Sequence, residues 1–549
     1  MALSRYLGSF NISTTAAPTT QTVAGVGFTP KVVIFWWGNR DESVDTVGRL
    51  GSNKGFGFMT DAGESMCGCA ESEDVINAGR SWAATFNTRC IAYIFSNGTV
   101  AGVADFNAMN SDGFVLDIAT TFTNDIRVFF LALGGTDLTN YDIGTFSEKG
   151  SAGTQDITSV GFQPGAVFIV GSSSSSNAVP TADSVLSLGF AAGSTPVNAV
   201  LCGASNRAAA TTQTMAYCQT GEILANYDTG VTVTDCRASI SAWLSNGFTL
   251  NYGESASSTR DYVYLALKGP SFIVGDLLTQ TDTITAIAET GFGFAPSAVL
   301  FMSAARGEST DDTPTDHDFW SVGGAISTSS RGCSAALDED NLADTEVSSA
   351  IEYDAVYANI STSSAIQGLM DMQSFDTNGF TCIMDDADPA QNYVAYIAIG
   401  PTVTATLTGT ITSSVTEADI VTGGKTSIIT LAGTTWIAAG AGSFDLQRDE
   451  IIAGHDSDGS EALGWDLVPK ATQSLGPVVR TSDTVVTVTW DAFATYNITA
   501  NETITVTVPS TATVGGVGPV ATPTFVITAS GAAEVLQDVI GCGVVPWPR

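Results

Sequence analysis

Residues 26–35 of this chain read VGFTPKVVIF, and the pattern returns as VGFQPGAVFI at 160–169 and as FGFAPSAVLF at 292–301. Each segment is a Gly-Phe pair and a proline that lead into an apolar run. The glycines of the Gly-Phe pairs are 134 and then 132 residues apart (161 − 27 and 293 − 161). Glycine and proline mark a turn, and the apolar run predicts a strand that is buried on both faces.

A second marker recurs at the same intervals. Its copies are SDGF at 111–114, SNGF at 245–248 and TNGF at 377–380, with glycines again 134 and 132 residues apart (247 − 113 and 379 − 247). Asp-Gly and Asn-Gly accept positive φ at low cost, so they predict tight turns between antiparallel strands. Two markers with the same spacing predict three homologous domains. Each marker precedes an apolar closing strand: VFFLAL at 128–133, YVYLAL at 262–267 and YVAYIAI at 393–399.

Glycine or Gly-Pro after each closing strand sets the predicted domain boundaries, which give domains at 1–134, 135–269 and 270–400. Short strands separated by Gly, Ser and Asn turns, without a long 3.6-residue apolar period, predict an all-β fold. About 130 residues of this kind are typical of a β-sandwich of the jelly-roll or lectin-like kind. The linkers are short, so we expect the three domains to stack.

The pattern changes after residue 400. The segment 502–508, ETITVTV, alternates strictly between apolar and polar residues, which predicts a half-buried antiparallel strand. The region 401–529 therefore predicts an immunoglobulin-like β-sandwich. The remaining residues, 530–549, are interpreted as a C-terminal docking tail.

The chain has 549 residues, and its 56 Asp and Glu against 20 Lys and Arg give a formal net charge of −36. This length is typical of roughly three to four domains. Nucleic-acid binding needs Lys and Arg to neutralise phosphates, so the charge argues against a nucleic-acid partner. No stretch reaches the ~18 uninterrupted apolar residues of a membrane-spanning helix, so we expect no membrane insertion.

The N-terminal segment 1–15, MALSRYLGSFNISTT, lacks the apolar centre of a signal peptide, which predicts a chain that does not use bacterial secretion. Its composition, rich in Thr, Ser, Gly and Val and poor in Lys, is nevertheless typical of extracellular β proteins. A protein made in the cytosol and used outside the cell reconciles these two observations. Virion proteins that are released by lysis fit this description.

The Gly-Phe-x-Pro segment, the Ser-Asp-Gly-Phe marker and the closing Phe-Leu-Ala-Leu-Gly strand together resemble a repeat domain of tailed-phage virion proteins. The region 401–528 resembles an immunoglobulin-like module of phage tail and neck proteins, through 403–407, Gly464-Trp465 and 480–486. The resemblance implies a structural component without catalysis, such as a neck or collar spike, a tail fibre or another appendage. It also implies a virion location, with assembly in the host cytoplasm and release by lysis.

The same resemblance implies partners and leaves alternatives open. A homotrimer is expected, because phage spikes of this kind are usually trimeric. The other expected partners are neck, tail or capsid proteins of the virion, with host-surface glycan as a further candidate. A capsid decoration protein and a glycan-degrading tailspike enzyme remain alternative functions.

Few residues suggest chemistry. The only histidines are His317 and His455, so a catalytic triad would have to use one of them. His317 lies in the acidic segment 311–318, DDTPTDHD, which is either a cation-binding loop or a solvated loop. The segment 456–461 fails the spacing of an EF-hand. We therefore predict no enzyme, no catalytic or cofactor-binding residue, no metal site and no cofactor.

Tryptophans leave two interpretations. Exposed indole rings would suit stacking on sugars, whereas Trp36 and Trp37 continue a buried strand pattern. Trp82, Trp243 and Trp320 could serve either purpose. Core packing is the simpler interpretation of the set.

The nine cysteines suggest cross-links. Counted from the glycine of each Gly-Phe pair, Cys69 lies at +42, Cys202 at +41 and Cys333 at +40, which predicts equivalent positions in the three domains. Cys67 lies two residues before Cys69 and on the same face of a strand. These four are either buried reduced thiols or, with Cys542, thiols that form disulfides after lysis. Because the count is odd, at least one thiol is free or pairs between chains, and Cys542 is the best intermolecular candidate.

Overall fold

The computed structural model divides the chain into two compact units, residues 1–402 and 403–549. The fold is all-β, as predicted: the described residues form 39 strands and one short helix. The structure describes residues 3–38, 52–73, 80–95, 97–206, 211–228, 234–254, 259–305, 317–340, 342, 346–361, 365–402, 405–410, 416–424, 426–432, 452–455, 475–480, 485–490, 502–506, 519–521 and 524–527.

Ten strands form the first pair of sheets, which we call the first sandwich. They are β1 (Leu3–Asn11), β2 (Thr19–Ala24), β3 (Val32–Trp37), β4 (Ser52–Thr60), β5 (Ser65–Ser72), β6 (Ser81–Phe86), β7 (Ile91–Ile94), β8 (Val100–Asn110), β9 (Gly113–Thr120) and β10 (Arg127–Gly135).

The second sandwich has an additional two-residue strand, β14. Its strands are β11 (Asn140–Ser147), β12 (Gly153–Ile157), β13 (Ala166–Ser172), β14 (Thr181–Ala182), β15 (Leu186–Ala192), β16 (Val197–Ser205), β17 (Thr214–Thr220), β18 (Leu224–Tyr227), β19 (Thr234–Leu244), β20 (Gly247–Glu254) and β21 (Asp261–Lys268).

The third sandwich again has ten strands. They are β22 (Ser271–Leu278), β23 (Ile287–Thr290), β24 (Ala298–Ser303), β25 (Asp318–Ala325), β26 (Arg331–Asp338), β27 (Val347–Glu352), β28 (Tyr357–Ile360), β29 (Ile366–Asp376), β30 (Gly379–Asp386) and β31 (Tyr393–Gly400).

The strand order is the same in the three sandwiches when β14 is set aside. One antiparallel sheet contains the first, tenth, third, fourth, fifth and sixth strands in that order, and the other contains the second, ninth, eighth and seventh. β14 leaves its own sandwich and pairs with β6 of the first, with Thr181 opposite Ala83 and Ala182 opposite Trp82. The chain of the second sandwich therefore extends a sheet of the first.

The third and fourth strands of the six-stranded sheets are buried on both faces. All six residues of β3 are buried. Phe35 and Trp37 pack inside the first sandwich, where the Phe35 ring meets Phe114 edge to face with centroids 5.7 Å apart. Ile34 and Trp36 point the other way, into a core shared by the three sandwiches. This double burial explains why the repeated segments continue as uninterrupted apolar runs.

The three sandwiches surround the shared core, and each packs against the other two. β5 and β6 of the first sandwich pack on β13 of the second, β16 and β17 of the second pack on β25 of the third, and β26 of the third packs on β1 and β4 of the first. The aromatic rings of Phe56 and Phe190, from the first and second sandwiches, lie 6.5 Å apart, and Trp320 of the third belongs to the same core. Each sandwich therefore contacts both of the others.

The two sequence markers lie against each other. The Gly27 N–H donates to Asp112 Oδ1 at 2.7 Å, and the Gly293 N–H donates to Asn378 Oδ1 at 2.6 Å. In the second sandwich the equivalent bond goes to a backbone carbonyl oxygen at 3.2 Å. Gly27 and Gly293 have φ of +82° and +75°, which favours glycine. In each sandwich, the two markers are therefore joined by at least one hydrogen bond between their turns.

Where the structure describes it, the second unit has a five-stranded sheet, a three-stranded sheet and one helix, α1 (Glu417–Thr422). Thr416 caps the helix by accepting the Asp419 N–H, and Asp419 bonds back, which forms a capping box. Residues 502–506 of the predicted strand 502–508 are a strand, and the tail 530–549 lies outside the described residues. The strands are β32 (Ala405–Thr410), β33 (Thr426–Ala432), β34 (Ile452–His455), β35 (Leu475–Arg480), β36 (Val485–Trp490), β37 (Glu502–Val506), β38 (Pro519–Ala521) and β39 (Thr524–Ile527).

Candidate functional site

Three glycines in the fourth strands define equivalent positions in the three sandwiches. Gly57, Gly189 and Gly323 each pair with the last residue of the repeated ten-residue segment. Each also lies against a backbone carbonyl oxygen just before the seventh strand, where a Cβ atom would overlap it. The residues that pair with these glycines in the fifth strands are therefore equivalent as well.

This register corrects the predicted equivalence of the cysteines. Cys67 and Cys333 both pair with a glycine of this set, whereas Cys69 and Cys202 lie two residues further along their strands. Cys69 and Cys202 are thus equivalent, and the prediction is wrong for Cys333, which is equivalent to Cys67. Cys67 and Cys333 both lie at +40 from the glycine of their Gly-Phe pair (67 − 27 and 333 − 293), so counting without an allowance for length differences matches these two cysteines. A slip of two residues keeps a side chain on the same face of a strand, so the sequence pattern does not reveal it.

The predicted cross-linking cysteines are core residues. Cys67, Cys69, Cys202 and Cys333 are fully buried free thiols. Burial raises the pKa of each thiol well above its ordinary value, which leaves almost no reactive thiolate. A disulfide between chains through any of these four would first require the core to open. Cys542 lies outside the described residues, so a cross-link there stays a prediction.

A polar layer lies at one end of the shared core. Its six residues are the fifth residue before each glycine of the equivalent set and the fifth residue after each partner of those glycines. All six are buried, and the Oγ atoms of Ser72 and Ser184 lie 3.2 Å apart, which joins the first and second sandwiches. The layer consists of Ser52, Ser72, Ser184, Ser205, Asp318 and Asp338.

Lys54 reaches into this layer from the first sandwich. Its Nζ lies 2.6 Å from both Oδ1 and Oδ2 of Asp318, which belongs to the third sandwich. The side chains are only 3% and 1% exposed, so this ion pair is buried. Nζ also lies 5.7 Å from the centre of the Trp320 ring, within the range of a cation–π contact. Gly203 of the second sandwich lies against the pair, since a Cβ there would overlap Asp318 Oδ1.

The two aspartates of the layer are neighbours, and Lys54 pairs with one of them, Asp318. Asp338 is directly opposite Asp318 across β25 and β26, so their side chains lie on the same face of the sheet. Burial raises the pKa of Asp318, although Lys54 opposes the change. Burial also raises the pKa of Asp338 to about 7, opposed by the Ser205 and Ser72 hydroxyls and by Lys54 and reinforced by the Asp318 charge. Asp338 is therefore largely protonated below neutral pH.

A second buried ionic group lies inside the second sandwich. Arg260 is 2% exposed and donates to Asp235 Oδ2 at 2.8 Å and to the Tyr227 carbonyl oxygen at 2.9 Å. Glu148 lies 3.7 Å from the other guanidinium nitrogen. These bonds tie together the connections at one end of that sandwich, which is a structural role.

The structure describes His317 and part of the acidic segment 311–318 around it. His317 Nδ1 accepts the Asp340 N–H at 3.1 Å, so this ring holds a connection in place. The acidic residues 311–316 and the segment 456–461 lie outside the described residues, so the proposed cation loop is untested there. Asp318, the last residue of the acidic segment, pairs with Lys54. In the described ranges no three His, Cys, Asp or Glu side chains are grouped to hold a metal ion.

The tryptophans divide into buried and partly exposed rings. Trp36, Trp37 and Trp320 are 0–1% exposed, which confirms their interpretation as core residues. Trp82 and Trp243 are partly exposed. The Trp243 Nε1–H donates to the Gly193 carbonyl oxygen at 2.7 Å, so this ring is held in one orientation.

The polar layer was not predicted from the sequence. One signal was present: Lys54 is the only charged residue in the strand Ser52–Thr60. A second signal is the pair Asp318 and Asp338, which occupy positions where the first two sandwiches have serine. Finding that difference requires the register of the fourth and fifth strands, which the two markers alone do not provide.

In the described part of the chain, no helix is both long and apolar enough to cross a membrane. No protein-family model matches the sequence, and the curated proteins contain no match to it.

Proposed function

We propose that this chain is a structural component of a tailed-phage virion, namely a neck, collar or tail appendage that contributes to adhesion at the host surface. The observation that carries the proposal is the closed core of residues 1–402, in which three β-sandwiches bury one face each against the other two. Such a body suits a mechanical role, because its contacts are distributed over the whole ring. The resemblance of the sequence to virion proteins is the reason for placing the protein on a phage particle.

Charge supports the same role. A net charge of −36 on one chain keeps neighbouring copies and particles apart in solution. The charge is carried by few residues, since only 14% are Asp, Glu, Lys or Arg. A surface made mainly of Thr, Ser, Asn and Gly suits a protein exposed on a particle.

We further propose that the three sandwiches are homologous copies of one domain of the jelly-roll or lectin-like kind, followed by an immunoglobulin-like module at 401–529. The repeated strand order and the paired markers support the first part. The two sheets of the second unit support the second part. In this arrangement the tail 530–549 docks the chain on its neighbours.

We propose that the expected homotrimer assembles through the second unit and the tail. In residues 1–402 the six-stranded sheets already use their open faces against one another within one chain. A trimer of chains would therefore assemble through other surfaces. Light scattering on the purified full chain measures its mass and tests this directly.

Immunogold labelling of intact particles tests the proposed function. Antibody against residues 1–402 is expected to label the neck or the tail, with pre-immune serum as the control. Label over the whole head would instead indicate a capsid decoration protein. Absence of label would overturn the virion proposal, and release of sugars from host-surface glycan would then point to the enzyme alternative.

A truncated chain tests the role of the second unit. Residues 1–402 form their own compact unit, so a chain that ends there is expected to fold and to remain absent from particles. The full-length chain supplied in the same way is the matched control. Incorporation of the truncated chain at the full-length level would overturn the docking role of 403–549.

A further inference from the structure

We propose that Lys54 and Asp318 become joined by an amide (isopeptide) bond, which links the first sandwich covalently to the third, and that Asp338 carries the proton this reaction needs. The bond is independent of the proposed virion role. It would connect the first and third sandwiches through two residues that are 264 positions apart in the chain.

The reacting groups are already in contact. Lys54 Nζ lies 2.6 Å from both carboxylate oxygens of Asp318, so Cγ is within its reach, and attack requires Nζ to move from between the oxygens to the face of the carboxyl group. Reacting atoms held about 3 Å apart in a fixed orientation gain a large rate advantage over free reactants. Burial of both side chains and the nearby Trp320 ring hold this geometry and exclude solvent.

The reaction needs one proton to move within the pair. An isolated ion pair is costly in apolar surroundings, and transfer of one proton from the ammonium to the carboxylate gives a neutral amine and a neutral acid. The neutral amine is the nucleophile, and the protonated acid is the better electrophile. Both forms arise from the pair as it stands, without a cofactor.

The atoms balance as a condensation. The amine lone pair attacks Cγ of Asp318 and forms the Nζ–Cγ bond, while the carbonyl electrons move onto oxygen. One Cγ–O bond of the resulting intermediate then breaks, and that oxygen leaves as water with two protons. The ammonium and carboxylate thereby become an amide and one water molecule, with no oxidation or reduction.

Asp338 is placed to move the protons. It is the direct cross-strand neighbour of Asp318 and is 1% exposed. Its environment keeps a proton on it up to about neutral pH, since its pKa is raised to about 7. It can therefore donate to the leaving oxygen and recover a proton from the attacking nitrogen. The groups that face it are Lys54 of β4, Ser72 of β5, Ser205 of β16 and Asp318 of β25, together with Val347, its cross-strand neighbour on β27.

The other two sandwiches lack this combination. The positions equivalent to Lys54 hold Leu186 and Trp320, and those equivalent to Asp318 hold Ser52 and Ser184. The chain therefore makes at most one such bond in the polar layer. This bond would lie in the contact between the first and third sandwiches.

Mass spectrometry of the reduced full-length chain tests the proposal. The wild-type chain is expected to be lighter than its sequence by one water molecule. Trypsin should leave Lys54 uncut and yield residues 50–80 joined to residues 307–331, since these peptides are bounded by Arg49, Arg80, Arg306 and Arg331. A wild-type chain with the full calculated mass and no joined peptide would overturn the proposal.

Three variants separate the bond from other losses of water. Lys54→Arg keeps the positive charge and is expected to abolish the mass deficit and the joined peptide. Asp338→Asn should keep the ion pair while slowing the linking on the order of 100-fold, the usual contribution of an acid–base group. Asp142→Asn is the matched control, because Asp142 also has its pKa raised to about 6 by burial but bonds to Tyr264. A deficit that persists in Lys54→Arg, or linking at the wild-type rate in Asp338→Asn, would contradict the proposed roles.

Discussion

At the scale of single residues, Asp338 shows how one residue difference between equivalent positions changes the electrostatics of the polar layer. Its equivalents, Ser72 and Ser205, are uncharged, and the three residues belong to the same buried polar layer. Burial disfavours the charged form of a carboxyl group in this position and raises the pKa of Asp338 to about 7. The stability of residues 1–402 is therefore expected to depend on pH through this residue.

Asp338→Asn should reduce that pH dependence. The pKa of Asp338 is about 7 in the folded chain against 3.8 as its ordinary value, so the folded state binds the extra proton between these values. Its stabilising effect is complete below about pH 4 and is lost as pH rises through 7, a change of about 4 kcal/mol in the free energy of unfolding. Urea unfolding at pH 5 and pH 8 measures about 3 kcal/mol of that change in the wild type, because the rest of it lies below pH 5. The exposed Asp125→Asn is the control, and an equal pH effect in Asp338→Asn and the wild type would contradict the assignment.

The buried cysteines should be inert in the native chain. We expect a water-soluble thiol reagent to modify Cys67, Cys69, Cys202 and Cys333 at least about 100-fold more slowly than a free cysteine, because burial raises their pKa and blocks access. All four should react once urea unfolds the chain. Peptide mapping of the labelled protein checks this, with Cys542→Ser as the control for labelling in the tail. Rapid native labelling of any of the four would show that the core opens.

At the scale of elements, the fourth strands depend on glycine for a reason that the sequence does not show. Gly57, Gly189 and Gly323 lie where a strand of one sheet passes a carbonyl oxygen of the opposite sheet in the same sandwich. The two sheets can approach closely only where no Cβ is present. These glycines also fix the register that relates the three sandwiches.

Gly189→Ala should destabilise the second sandwich. The added Cβ would overlap the Ile223 carbonyl oxygen, and backbone atoms cannot move aside as a flexible side chain can. We expect a loss of about 1–3 kcal/mol in the free energy of unfolding, as for other overpacked sites. Gly253→Ala is the matched control in the same sandwich, because nothing lies within 4 Å of its Cβ, and it should change stability by less than about 0.5 kcal/mol. Equal urea midpoints for the two variants would disprove the close approach.

At the scale of the whole molecule, residues 1–402 form one compact unit even though the two sequence markers recur three times. Strands of every sandwich contribute to the shared core, which includes Phe56, Phe190 and Trp320. Removal of one sandwich would expose the faces that the other two present to it. The repeats are therefore expected to be interdependent.

A chain that ends at residue 269 should fail to form a stable monomer, whereas a chain that ends at residue 402 should fold. The shorter chain leaves apolar sheet faces of the first two sandwiches in water, where they favour aggregation. Size-exclusion chromatography with limited proteolysis compares the two chains. A protease-resistant monomer of residues 1–269 would show that the shared core is dispensable.

The sequence by itself determined the strands and the turns of this protein. Gly-Phe-x-Pro, the Asn-Gly and Asp-Gly turns and the apolar runs are local signals, and the closing strands they predict are β10, β21 and β31. Such signals work because alternation and turn chemistry act between residues that are close in the chain. They were sufficient for the all-β class and for recognising a repeated pattern.

Only the tertiary structure decided which faces meet. An apolar run reports that a strand is buried and does not identify what covers it, so the closure of the three sandwiches on one core was not predictable from the pattern. Cys333 and Cys69 differ by two residues of register, which keeps both side chains on the same face of a strand, so the apolar pattern alone does not separate them. The contact of Lys54 with Asp318 joins residues 264 positions apart and leaves no local trace, because each side chain acquires its partner only when the ring closes.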